Sequence, residues 1–260
     1  MVEKEKIYAI VIPDVHGRLF WKDALPYMNE GVRTIFLGDY LAPYPHEGIT
    51  GKAALENFHE ILDTTKDMEN VTMLTGNHDW SYIAPDYHLC DSRIDERRMT
   101  EIVSLFLSNL KRFYLCVIDK EDGKEKVIFS HAGIHSMWLY DLKADVSDSD
   151  MLEWNLYDML KSPDNETMIK YLSHVSPYRW GMNPEGSIIW ADINEFEHRK
   201  QLDCLQFVGH TMQLRKEITD EDKGWFKWVP DEPVTFGNVT CIDCQSCFWL
   251  DQDLKLHKLE

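Results

Sequence analysis

The chain has 260 residues, 44% of them hydrophobic, with 45 acidic against 27 basic side chains and a formal charge of -18. That length suffices for one substantial buried core, and the acid excess disfavours long DNA or RNA as a partner, because nucleic-acid binding rests on basic patches. No apolar run approaches the ~18 residues of a membrane span, and the charged MVEKEK opening precedes a run too short for a signal-peptide core, so neither a membrane nor secretion is expected.

The six cysteines, Cys90, Cys116, Cys204, Cys241, Cys244 and Cys247, are too scattered for a disulfide framework, and a reduced, cytoplasmic protein is expected. Composition sets no oligomeric state. In chain order, aliphatic runs at Ile7 to Ile12, Thr34 to Leu37 and Val71 to Leu74 read as strands. Between the second and third lies a helix within Thr50 to Met68, with Ala54, Leu55, Phe58, Ile61 and Leu62 on one face. A further helix is expected from Glu96 to Lys111, with Met99, Ile102, Val103, Phe106 and Leu110 inward. Strands at Phe113 to Ile118 and Val127 to Phe129 follow, joined as a hairpin by Asp119 to Lys124.

Beyond Ser130 the chain turns rich in Trp and Tyr, with helices expected at Asp150 to Leu160 and Thr167 to Leu172. The acidic Asp145 to Asp150 stretch lacks the Gly and terminal Glu of a calcium loop and reads as a helix cap with solvated acids. A helix at Glu195 to Leu202, a strand at Leu205 to Val208 and a group of short C-terminal strands complete an α/β pattern. Residues 1–260 read as a single domain with a helical elaboration at about 136–186.

The strands matter for how they end. The first runs into DVHG, where Asp14 and His16, two apart, aim to one side and Gly17 permits a sharp turn. The second ends in Gly38-Asp39, the third in Gly76, Asn77, His78 and Asp79, a later one in His131 and another in His210. Open α/β sheets place their ligands at the carboxyl ends of strands, so these side chains are expected to converge in one crevice. Asp, His and Asn donors without Cys suit a pair of divalent ions such as manganese, iron or zinc. A carboxylate such as Asp39 is able to bridge two of them, and water held about 3.5 to 4 Å between both becomes a nucleophile.

The order DVHG, GDY, GNHD, SHAG, GH resembles the calcineurin-like metallophosphoesterases, within them the phosphoprotein phosphatase branch that includes diadenosine tetraphosphatases. SIIWAD and the final VTCIDCQSCFWLD are similar to that branch more loosely. The resemblance implies a four-layer fold, two mixed β-sheets packed as a sandwich and flanked by helices. It implies that Asp14 and His16 hold a first metal, that Asp39 bridges, and that Asn77, His131 and His210 hold a second. His78 would donate a proton to the leaving-group oxygen. The last motif reads GHTM where many relatives outside the branch have GHxH, and the thioether of Met212 is a poor partner for such an ion.

One motif departs from the family pattern. GDxxDRG is replaced by GDYLAPYPHEG, so Ala42 and Pro43 stand where the resemblance expects an Asp that orients His78 and an Arg that grips phosphate. Asp79 is the candidate for the first task, and Arg179, then Arg18, for the second, since a guanidinium matches phosphate oxygens bidentately. The Pro-rich loop with His46 reads as a rigid connection, Cys241, Cys244 and Cys247 as buried thiols, and Trp225 to Trp228 as core packing.

The expectation is therefore a phosphoesterase with two divalent ions, manganese first and iron or zinc after it. It would hydrolyse phosphate monoesters, in a phosphoprotein or a small phosphorylated molecule, by attack of a metal-bridging hydroxide. The alternatives are a dinucleoside polyphosphate hydrolase and a catalytically weak metal-binding interaction domain.

Overall fold

The structure, a computed structural model, describes residues 2–84, 93–146, 149–162, 165–220 and 225–260. In chain order its strands are β1 (Ile7–Ile12), β2 (Thr34–Phe36), β3 (Val71–Leu74), β4 (Phe113–Tyr114), β5 (Cys116–Glu121), β6 (Lys124–Ser130), β7 (Leu205–Val208), β8 (Leu214–Asp220), β9 (Trp225–Pro230), β10 (Val234–Phe236), β11 (Val239–Cys241), β12 (Phe248–Asp251) and β13 (Leu256–Lys258). The helices are α1 (Leu25–Asn29), α2 (Gly51–Thr65), α3 (Asn77–Ile83), α4 (Met99–Asn109), α5 (Ser136–Asp145), α6 (Leu156–Met159) and α7 (Asn165–Leu172).

Two large mixed sheets carry the fold, ordered β13-β12-β1-β2-β3-β4 and β10-β11-β7-β6-β5. Because side chains alternate along a strand, each sheet has two apolar faces to cover. Ala9, Val11, Ile35, Leu37 and Leu74 from the first sheet meet Val127, Phe129 and Phe207 from the second in one buried layer. The alternate residues Ile10, Ile12, Phe36 and Met73 pack the other way, with Phe58, Ile61 and Phe106 of α2 and α4. On the far side of the second sheet Val208, Val239 and Cys241 pack with Ala191, Ile193 and Phe196.

α2 starts where Thr50 accepts a hydrogen bond from the Ala53 amide, and it buries the face the sequence predicts. Its Phe58 lies in an aromatic cluster, stacked on Tyr40 at 4.9 Å and 5.0 Å from Phe106. Phe106 in turn lies 5.4 Å from Phe113, and the Tyr40 hydroxyl donates to Leu74 O at 2.9 Å. Tyr40 directly follows Asp39, so this cluster fixes the floor under one of the expected ligands.

Several expected elements differ. The single strand at Phe113 to Ile118 is two, because Leu115 is fully buried where the chain passes from the first sheet to the second. The helix at Asp150 to Leu160 is a 3-10 turn at Ser149–Glu153 followed by α6, since Asn155 is extended and caps α6 through Asp158 N at 3.0 Å. The helix at Glu195 to Leu202 is one 3-10 turn, Ile193–Phe196. There Glu195 is drawn inward to accept from Ser176 Oγ at 2.6 Å and Gly186 N at 2.9 Å, and Gln201 donates to Phe196 O at 2.6 Å where a helix would continue.

Of the Trp225 to Trp228 stretch, expected in the core, Phe226 and Trp228 are exposed. They lie on the separate β8-β9 hairpin, whose cross-strand register puts Lys216 opposite Trp228 and Ile218 opposite Phe226. Cys116, Cys204, Cys241, Cys244 and Cys247 are buried free thiols, while Cys90 lies outside the described residues, as do residues 147 and 148 of the acidic stretch. No helix among the described residues is long and apolar enough to cross a membrane.

Phe58→Ala is expected to destabilise the protein by about 3 to 5 kcal/mol, the usual cost of emptying a buried aromatic site. Urea denaturation followed by tryptophan fluorescence measures it.

Candidate metal centre

β1, β2 and β3 are parallel and in close register, with Ile12 beside Phe36 and Phe36 beside Met73, so the loops after them leave the sheet together. β6 and β7 are also parallel, and the Gly209 amide donates to His131 O at 2.8 Å just beyond their ends. The two groups of loops are tied by Asp14, whose carboxylate accepts from His210 N at 2.9 and 3.1 Å. Thus Asp14, His16, Asp39, Asn77, His78, His131 and His210, all buried, meet at one edge of the sandwich.

Close backbone approach makes this possible. A Cβ on Gly209 would fall 2.0 Å from Asp14 Oδ1, and one on Gly76 2.0 Å from Asp39 Oδ1. His16, Asp39 and His210 themselves hold left-handed backbone, with φ of 46, 50 and 65°. Such conformations cost energy in non-glycine residues and persist where surrounding contacts enforce them.

Tautomers decide the chemistry. His16 Nδ1 lies 2.8 Å from Leu41 O, and His131 Nδ1 lies 2.9 Å from Leu37 O. A carbonyl only accepts, so each Nδ1 carries the proton and each Nε2 presents a lone pair. Both Nε2 atoms lie 3.6 Å from Asp39 Oδ2, itself an acceptor. His131 Nε2 is also 3.0 Å from Asn77 Oδ1 and 3.1 Å from His210 Nδ1, while His210 Nε2 is buried without a partner.

Acceptors thus face acceptors around Asp39 Oδ2 and at Asn77 Oδ1. Protonation offers little relief, because burial holds His16 and His210 well below the ordinary imidazole range and lowers His131 as well. Burial pushes the Asp39 carboxyl up to about 7, the Asp14 charge adding to the rise, but one proton there can satisfy only one of the two imidazoles that face it. Cations between these donors would remove every conflict at once. Two overlapping groups have donor atoms within 4.8 Å of one another, His16, Asp39 and His78 in one and Asp39, His131 and His210 in the other. Asp39 belongs to both, as a bridging carboxylate would.

Asp79 serves a different end from the one expected. Its Oδ2 accepts from Asp39 N at 2.7 Å and Gly76 N at 2.9 Å, and its Oδ1 from Tyr40 N at 3.1 Å. Both oxygens are taken by backbone amides, so Asp79 shapes the Asp39 turn rather than steering the His78 ring. His78 Nε2 instead meets Arg93 Nη2, and His78 N donates to Asp39 Oδ1 at 3.0 Å.

The arginines are redistributed too. Arg18 is buried in a bidentate pair with Glu47, with Nε–O distances of 3.1 and 3.0 Å and Nη2–Oε1 of 2.8 Å, so its fork is already filled. Arg179 stands beside the centre, with Nη2 2.9 Å from Thr211 Oγ1 and 3.3 Å from His210 O, and its Nε 2.7 Å from Asp192 Oδ2 as an ion pair.

Arg93 was not singled out in the sequence. It donates to Ala42 O at 2.8 Å and lies 4.0 Å over the Tyr44 ring, against the very loop that lacks the motif's arginine. Tyr44, from the Pro-rich segment, also packs 5.0 Å from the His16 ring, so that segment does more than connect. Arg93 lies in the mixed-charge stretch Asp91 to Arg98, which ends no aliphatic strand and so gives it no local mark.

The family model for calcineurin-like phosphoesterases matches residues 8–214. The chain belongs to that family. As a calcineurin-like phosphoesterase it is a metal-dependent hydrolase of phosphate esters, and the donor set described above fits that dependence. No curated protein matches the sequence. Among solved structures, a cold-active protein tyrosine phosphatase is similar with a TM-score of 0.52 at 14% identity, over 97% of this chain and 78% of that one, a likeness of fold. A hypothetical protein from Pyrococcus horikoshii (13% identity, TM-score 0.42) and a metallophosphoesterase from Sphaerobacter thermophilus (14%, 0.37) each align over 97% of this chain and 87% of theirs.

Asp79→Asn replaces one acceptor oxygen by a donor facing a backbone amide. Metal affinity, measured by calorimetric titration with manganese, is expected to fall about 10- to 100-fold, the range for residues that orient ligands. Asp39→Asn should raise the melting temperature of the metal-free protein at pH 8. The sign follows from linkage: the folded carboxyl ionises near 7 and the unfolded one near 3.8, so stability is lost as pH rises through that window. The gap between variant and parent should therefore close toward pH 4.

Proposed function

We propose that this phosphoesterase hydrolyses phosphate monoesters, in a phosphoprotein or a small phosphorylated molecule, at a pair of divalent ions. Asp14 and His16 would hold the first ion, Asp39 both, and Asn77, His131 and His210 the second. The observation that carries this reading is the lone-pair crowd about Asp39 Oδ2, with His16 and His131 Nε2 both 3.6 Å away. Hard and borderline donors without sulfur favour manganese, with iron or zinc next. When bound, such ions polarise phosphoryl oxygens and acidify water for attack on phosphorus.

The remaining work falls to side chains. His78 Nε2 lies 3.9 Å from Asp39 Oδ2, at the rim where a leaving group would depart. Once Arg93 has left His78 Nε2 for the phosphate, that nitrogen could take up a proton, and as water adds to phosphorus and the ester P–O bond breaks, His78 would give it to the departing oxygen. Arg93, against His78, and Arg179, against His210, flank the centre from two sides. They would turn onto the phosphate oxygens and supply the grip that Pro43 cannot.

A proton donor in that place favours the monoester over the dinucleoside polyphosphate reading. An alkoxide or phenoxide leaves poorly unprotonated, whereas a phosphate leaving group has far less need of help. Against the weak-scaffold reading stands Arg93, whose bond to Ala42 O keeps a guanidinium beside the loop that lacks the motif arginine.

With manganese, the protein should release phosphate from both phenyl and p-nitrophenyl phosphate, and should cleave diadenosine tetraphosphate, whose products are mononucleotides, more slowly. His78→Asn should lower kcat on phenyl phosphate by about 10²- to 10⁴-fold and on the p-nitrophenyl ester much less, since nitrophenolate leaves without a proton. Arg93→Ala should act chiefly on KM. Faster turnover of the dinucleotide would favour the anhydride reading, and no turnover of any ester with manganese, iron or zinc would leave the scaffold.

A further inference from the structure

Another parallel strand ends at the same edge. β11 lies beside β7 with Cys241 opposite Val208, and Ile242 N donates to Val208 O at 2.8 Å, so Asp243 comes level with His210. Gln213 N donates to Asp243 O at 2.8 Å, fastening this residue to the GHTM loop immediately after Met212.

Asp243 is fully buried, and neither of its carboxylate oxygens has a hydrogen-bond partner. The charges that act on it are Asp14 and Asp39, of its own sign, and Arg18 and Arg179. Both arginines are committed elsewhere, Arg18 to Glu47 and Arg179 to Asp192 and the His210 carbonyl. Burying an uncompensated carboxylate beside two others is costly, and a protonated one would still carry an O–H with no acceptor. The surroundings therefore call for a cation beyond those the protein supplies.

We propose that Asp243 is a further carboxylate donor of the metal centre, acting on the Asp14 and His16 side, where Met212 offers only a thioether. The inference rests on the dinuclear reading above. It would give the first ion a third carboxylate in place of the imidazole that a GHxH motif would bring, and it explains why the only buried acid without a partner among the described residues stands at this strand end.

The test is manganese binding to the full chain, by calorimetric titration and by metal content after dialysis, for the parent, Asp243→Asn, Asp243→Ala and Asp14→Asn. Both Asp243 variants should lose at least about tenfold in affinity at one site. Asp243→Asn should also melt higher than the parent in chelator, as an unpaired buried charge is removed, while gaining less from added manganese. Should Asp243→Ala fail to fold, the near-isosteric Asn variant decides. Unchanged manganese affinity in the Asp243 variants, alongside a loss in Asp14→Asn, overturns this inference alone. Unchanged affinity in all of them overturns the metal-centre reading with it.

Discussion

One constraint governs the rest of the structure: lone pairs are forced against lone pairs around Asp39 Oδ2. The proton on Nδ1 of His16 and of His131 is pinned by a main-chain carbonyl, so rotation or tautomer exchange of either ring would forfeit a buried hydrogen bond. Asn77 Oδ1 adds a further acceptor against Nε2 of the His131 ring, and His210 Nε2 is buried with no partner. A buried cluster of this kind is destabilising in isolation, and folding tolerates it only because the sandwich is well packed elsewhere and because bound cations would reverse its sign.

The fold meets that constraint through its backbone. The Leu37 and Leu41 carbonyls that fix the two tautomers lie on either side of Asp39, and the carboxylate of Asp79 holds the amides of Asp39 and Tyr40. Hence a short segment of main chain both presents the shared carboxylate and sets the rings that face it. The aromatic cluster of Tyr40, Phe58, Phe106 and Phe113 anchors this segment from beneath. A packing change there would reach the centre through Tyr40 without touching any donor.

Much of this was legible in the sequence, because a strand-end donor leaves a local trace. Asp14, Asp39, Asn77, His131 and His210 each stand within three residues of the end of an aliphatic run, and the register of parallel strands brings such positions together without further information. Asp243 obeys the same rule, but its strand is three residues long and lies among cysteines, so its polar end stood out less. What could not be read was pairing across loops. Nothing local says that Asp79 will face backbone amides, that Arg18 will close on Glu47, or that Arg93 will reach back to Ala42. The exposed Phe226 and Trp228 show the reverse failure, since strand alternation reports a common face but not whether anything covers it.

Under the proposed function, the arginines would let such a site bind an anion on a strongly acidic chain. A net charge of -18 would repel phosphate at long range, yet at physiological salt that field is screened beyond about 8 Å. Inside that distance the local arrangement decides. Arg93 is held over Tyr44 and against Ala42, and Arg179 by Thr211 and Asp192, so both guanidinium groups stay beside the centre at little further loss of side-chain freedom. On the proposed reading, loss of the arginine from the GDxxDRG position would not empty the anion subsite. It would move the grip to two loops that enter from different parts of the chain, and make it depend on the tertiary fold rather than on a neighbouring residue.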